Sequence, residues 1–244
     1  MQTKLIEAYL KFKEESTLPE TLQERLSAPL LLKVSNTWVK NKKRVLIVGQ
    51  ETLGWNFRKG QHYKWPYDPI SSFKDFKMID DSINAMVHGY SFFEFAKHHR
   101  NYSSPFWRAY RQVRKKIGDE IDGINTSVLW SNLFRMSLDG GSVIKNGSLE
   151  EISNIRTSSA GLLKAEIKIL NPTSIIFFTG PDYNNSLYSE FENSTLIPFK
   201  SYDINQTSYV KHEVLPEKTI RTYHPGYLNR GKWDIVNQII ETII

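Results

Sequence analysis

The apolar positions of the chain fall into two rhythms. Near the start, Leu5, Tyr9 and Phe12 recur at spacings of four and three, one face of a helix. A second pattern runs from Leu18 to Leu32, interrupted by Pro19 and Pro29, so residues 1–40 read as an N-terminal helical extension. The rhythm then changes. Lys40, Lys42, Lys43 and Arg44 lead into Val45-Leu46-Ile47-Val48-Gly49, a β-branched run ended by glycine, the signature of a buried parallel strand. Ser127–Asn132, Ser174–Gly180 and Thr219–Tyr223 repeat that character. Helical spacing returns between and after them: Ser104 to Ile117 with Pro105 in the first turn, Ala160 to Leu170 stopped by Pro172, and a terminal helix through Val236, Ile240 and Ile243. Strands alternating with helices predict a single α/β domain over 1–244, its core at 41–244 a three-layer α/β/α sandwich on a four-stranded, mainly parallel sheet. The longest irregular stretches are 51–73 and 137–147, and long loops in a compact domain often carry function.

Composition narrows the classes. There is no cysteine, which removes disulfides, thiolate catalysis and iron–sulfur clusters. No apolar run approaches the ~18 residues of a membrane span, and the charged, helical N-terminus has no signal-peptide core, so a cytoplasmic, monomeric protein is expected. The chain carries 32 Lys and Arg against 26 Asp and Glu. The surplus is local. Lys97, Arg100, Arg108, Arg111, Arg114, Lys115 and Lys116 lie between Phe95 and Gly118 without an acid among them. A localised positive face suits an anionic partner such as nucleic acid.

In open α/β sheets, sites lie outside the carboxyl ends of the strands. There the sequence offers Gly49-Gln50-Glu51-Thr52-Leu53-Gly54-Trp55, then Asn132, then His224-Pro225-Gly226-Tyr227-Leu228-Asn229-Arg230. A carboxylate, a carboxamide and an imidazole thus follow three strands. No phosphate-cradling G-x-x-x-x-G-K-[ST], no G-x-G-x-x-G and no G-x-S-x-G is present, so no cofactor is expected. H-E-x-x-H is absent and His98-His99 are adjacent, so no metal is expected.

Val45–Glu51, Val128–Asn132 with Leu133, Ile169-Leu170-Asn171-Pro172 before Ile175–Gly180, and His224–Arg230 together resemble, in order and spacing, the uracil-DNA glycosylase superfamily over roughly residues 44–244. Three positions depart from its pattern. Glu51 replaces Asp or Asn, Thr52 stands where Pro is common, and Gly226 replaces Ser after His-Pro. The absent cysteines exclude its iron–sulfur branches. The resemblance implies DNA, single- or double-stranded, as partner and hydrolysis of the bond between a damaged or modified base and its sugar. Glu51 would stabilise the cationic sugar, and His224 would donate to the anionic departing base. Asn132 would read the pairing edge, with Gln50 and Trp55 beside the base. Phe57, Tyr63, Trp65 and Tyr67 extend the aromatic loop. Tyr227 and Leu228 would wedge into the gap left by the base, with Arg230 and Lys232 on phosphates. Arg111, Arg114 and Lys115 would hold or steer the strand.

Plainer roles compete at each position. Glu51 has the chemistry of a helix cap. His224 has that of a strand-end residue bonded to backbone, and Asn132 that of a buried group satisfying a sheet edge. The basic helix has the pattern of a solvated face, although Phe106, Trp107 and Tyr110 put part of it in the core. A catalytically inactive nucleic-acid-binding or nucleotide-sensing module on the same fold is the alternative.

Overall fold

The computed structural model describes residues 1–52, 55, 70–95, 102–117, 120–121, 124–125 and 127–244. The chain separates into two compact units, each assembled from three segments. The first takes Met1–Lys33, Glu51–Phe92 and Phe134–Glu166; the second takes Val34–Gln50, Phe93–Leu133 and Ile167–Ile244.

The second unit holds the sheet. Its strands are β1 (Val45–Glu51), β4 (Val128–Phe134), β5 (Ser174–Phe178), β6 (Thr195–Pro198), β7 (Thr207–Lys211) and β8 (Lys218–Thr222). Two short strands, β2 (Glu120–Ile121) and β3 (Ile124–Asn125), pair separately. The order across the large sheet is β4-β1-β5-β8-β7-β6. β1, β5 and β8 are parallel neighbours, and β7 and β6 continue the sheet antiparallel. β4 runs with β1: the Ser127 carbonyl accepts from the Val45 N–H at one end, and Asn132 lies against Gly49 at the other.

All four expected strands are present, but the sheet has six, not four. β6 and β7 escape a search for apolar runs. β6 is a largely exposed edge strand closed by Pro198, and β7 is a short, half-apolar strand. The architecture is mixed α/β, with helices around a mostly parallel sheet. Helices α5 (Pro105–Ile117), α9 (Asn184–Glu190), α10 (Pro225–Leu228) and α11 (Asp234–Ile243) belong to this unit. α11 buries Ile235, Val236, Ile239, Ile240 and Ile243, the face its periodicity predicts.

The first unit gathers α1 (Gln2–Glu15), α2 (Glu20–Arg25), α3 (Phe73–Met78), most of α4 (Ser82–Phe95), α6 (Val143–Asn146), α7 (Leu149–Ser159) and the start of α8 (Leu162–Leu170). α1 buries Leu5, Tyr9 and Phe12, as its spacing predicts. The N-terminal segment is no extension, however. Phe12 packs on Phe73 and Phe76, and the Tyr9 hydroxyl donates to Glu166 Oε1 at 2.9 Å. Glu166 also pairs with Arg135, and both side chains are fully buried. The helical pattern drawn through Leu18–Leu32 covers only α2. Beyond it the chain is extended and buried, Ser27 and Leu30 donating to the carbonyls of Ser137 and Arg135.

Candidate active site

Because β1, β5 and β8 are parallel, their carboxyl ends share one edge. Chain order reverses around β1, which lies between β4 and β5, and crevices form at such switch points. Gln50 links the two strand ends there. Its Nε2 donates to the Thr179 carbonyl at 2.7 Å, fastening the end of β1 to the end of β5. That amide nitrogen has a structural task, which leaves Oε1 for other contacts.

Gly49 explains the packing beside it. A Cβ there would fall 2.3 Å from Asn132 Oδ1 and 3.1 Å from Phe106 Cε2. Glycine is needed because a carboxamide and a ring close over the strand. Asn132 is only 5 % exposed, and its side chain has no hydrogen-bond partner among the described residues. A buried carboxamide normally satisfies its donors and acceptor, so this one is available to something else.

The Phe106 ring lies parallel to His224, with centroids 6.2 Å apart at 8°, and edge-on to Phe178. His224 Nδ1 accepts the Gly226 N–H at 3.1 Å, capping α10. A proton on the neutral ring therefore sits on Nε2, which has no partner among the described residues. Burial lowers the His224 pKa, favouring the neutral form. The edge thus carries a neutral imidazole with a free N–H donor. Gly226 fits closely too: a Cβ would stand 3.1 Å from His224 Nδ1, so a serine there requires the ring to shift.

Glu51 belongs to the first unit. Its Oε1 accepts the Ile144 N–H at 3.2 Å, in the first turn of α6. This is a capping contact, although with a helix distant in sequence. Thr52 is buried, with its hydroxyl unpartnered among the described residues, and the half-buried Trp55 donates its backbone N–H to Thr52. Phe57, Tyr63, Trp65 and Tyr67 lie outside the described residues, as do Lys97, His98, His99 and Arg100.

Two expectations for DNA contact do not survive burial. Leu228 is wholly buried in the second unit, because α10 turns its apolar side inward, so it presents nothing for insertion. Arg114 is 6 % exposed, its guanidinium over the Tyr110 ring, and is no surface cation. The remaining basic helix is partly occupied. Arg108 reaches Asn229 Oδ1 at 3.0 Å and stacks on Trp233, while Arg111 donates to the Tyr102 carbonyl. Lys115 and Lys116 are exposed, as are Tyr227, Arg230 and Lys232. Phe106 is the site residue that sequence reasoning missed. Its periodicity marked it as core, and only the glycine at the end of β1 hinted that something must close over that strand.

A cleft of about 350 Å3 in the first unit is lined by Glu24, Arg25, Ser27, Ser72, Asp139 and neighbours. Its charges are paired: Arg25 binds Asp139 at 2.7 Å and also Glu151. None of the expected site residues lines it. Among the described residues, no helix is long and apolar enough to cross a membrane. Nor does any group of three or more acidic, His or Cys side chains gather to hold a metal. No family model and no curated protein matches the chain.

Proposed function

We propose that the protein is a uracil-DNA glycosylase-like hydrolase that removes a damaged or modified base from DNA. The observation that carries this reading is the buried, unpartnered Asn132 carboxamide over Gly49, in the unit where His224 offers a free Nε2–H. The two supply complementary chemistry. A carboxamide reads adjacent donor and acceptor positions on a base edge. A neutral imidazole donor stabilises negative charge developing on a departing base without first losing a proton to solvent. Phe106 gives the edge an aromatic wall. In this reading Glu51, the residue after Gln50, supplies the carboxylate that stabilises the cationic sugar and orients water. Attack of water at the sugar carbon breaks the base–sugar bond and leaves an abasic sugar and the free base. In the finer architecture proposed, four parallel strands form the middle of a three-layer sandwich and the β6–β7 hairpin is an addition.

The test is a panel of oligonucleotides bearing uracil, hypoxanthine, xanthine or oxidised pyrimidines, scored for alkali-labile abasic sites. Wild type forms such sites on at least one substrate. Glu51→Ala, His224→Ala and Asn132→Ala each reduce the rate by 100-fold or more, on the order of one lost electrostatic contact at a transition state.

One observation favours the second reading, a binding module without catalysis: Glu51 already serves as a hydrogen-bond acceptor for α6. Tight binding to the panel with no abasic product, and no effect of Glu51→Ala on binding, would establish that alternative.

A further inference from the structure

A second aromatic stack is formed by residues that flank His224 in sequence. Tyr223 and Tyr227 have ring centroids 4.3 Å apart at 27°, and the Tyr227 N–H donates to the His224 carbonyl at 2.8 Å. That bond ties the backbone of Tyr227 to the backbone of His224. The buried Arg221 guanidinium, fastened to Asn184 Oδ1 and the Asn205 carbonyl, precedes Tyr223 and fixes the strand end. Tyr227 is 43 % exposed, unusually open for a ring in a stacked pair. Neither phenol hydroxyl has a hydrogen-bond partner among the described residues. Lys232 Nζ stands 5.6 Å from the Tyr227 centroid, and Arg230 is exposed in the same turn. A partly exposed aromatic ring beside two exposed cations has the composition of a single-strand stacking platform.

We infer that Tyr227, backed by Tyr223, is a stacking platform for an unpaired DNA base neighbouring the target base, with Lys232 and Arg230 on the flanking phosphates. This deepens the proposed function and rests on it for placing the target base beside His224. It replaces the wedge expected of Leu228 with a different device. A wedge fills the gap in a duplex, whereas a platform holds bases already unpaired, so the preferred substrate is single-stranded DNA. A base laid on Tyr227 would take the place of the Lys232 ammonium, whose long stem lets it swing to a phosphate.

The experiment is fluorescence anisotropy with a labelled oligothymidylate of roughly 12 nucleotides, within the span that one such domain covers. Its duplex, its abasic analogue and the matching oligouridylate serve as comparisons. Wild type is expected to bind the single strand roughly tenfold or more tightly than the duplex or the abasic strand. Tyr227→Ala loses about that factor and Tyr227→Phe keeps most of it, since stacking and not the hydroxyl is used. Lys232→Gln lowers the slope of log affinity against log salt by about 0.7, the loss of one single-strand phosphate contact. Unchanged melting of Tyr227→Ala shows that the loss is local. Equal binding by wild type and Tyr227→Ala, tighter binding to duplex, undiminished binding to the abasic strand, or tighter binding to the RNA would each overturn the inference. Because oligothymidylate contains none of the panel's lesions, this result is independent of excision. Failure here leaves base removal standing, and failure of the lesion panel leaves the platform standing.

Discussion

Gly49 shows how one missing side chain sets up chemistry on neighbouring strands. In Gly49→Ala the new methyl would overlap Asn132 Oδ1 and crowd the Phe106 ring, so the carboxamide must leave its place over the strand. The expected cost is about 1–3 kcal/mol in urea unfolding, typical of overpacking, together with loss of any activity that needs Asn132. His224 makes the complementary case. Its folded pKa lies below the usual imidazole value of 6.5 because the ring is buried. Below pH 6.5 the unfolded chain takes up a proton that the folded protein refuses, so stability falls as pH drops through that range. In His224→Asn this share of the slope is lost. Urea midpoints at about pH 7.5 and pH 5.5 should differ less in the variant than in wild type. Of these residue-scale features, the sequence displayed the identities and the strand ends. It did not display Phe106 closing over Gly49, because a contact between a strand and a helix some 60 residues apart leaves no local pattern.

Elements were legible in proportion to how far they depend on their own residues. β1, β4 and β5 are largely apolar, buried runs, and such runs announce themselves, whereas β8 is marked by its β-branched Thr219, Ile220 and Thr222. The β6–β7 hairpin relies on pairing with its neighbour, so its pattern is faint. α1 and α11 had the correct buried faces. The partition at Ala160 was less clear: one helical spacing from Ala160 to Leu170 proves to be α8 alone, α7 ending at Ser159 and Gly161 adopting φ +83° between them. α3 shows what a short element needs. Ser72 caps it reciprocally with Asp75, and Ser71 also donates to the Asp75 carboxylate. Although burial opposes it, these bonds hold the Asp75 carboxyl below its ordinary pKa. Ser72→Ala should cost about 1 kcal/mol in thermal or urea unfolding, with Ser72→Asn recovering most of it.

For the whole molecule, the main lesson concerns the N-terminal segment, whose helix was legible and whose destination was not. Tyr9 is buried, and burial together with the Glu166 charge keeps its phenol well above the ordinary pKa, so it remains a donor. Glu166→Ala would leave the Arg135 guanidinium buried without its carboxylate and should cost about 3–5 kcal/mol. Tyr9→Phe, which removes one hydrogen bond, should cost only about 1 kcal/mol. Deleting residues 1–16 should therefore lower the unfolding midpoint steeply, an outcome a dispensable extension would not give. The local positive charge also reads differently at this scale. In the basic helix Arg114 is buried and Arg108 and Arg111 are engaged in surface contacts with the protein itself, while Arg230 and Lys232 stand exposed after His224.

Tyr9 and Glu166 are 157 residues apart in sequence. During synthesis at ~5–20 residues per second, the first helix leaves the ribosome roughly 8–30 s before its acceptor does. Throughout that interval the Tyr9 hydroxyl lacks the carboxylate that receives it in the folded protein. The nascent chain is thus obliged to keep its oldest segment waiting, and a chaperone that shields α1 would raise the folded yield more than one acting on the finished chain.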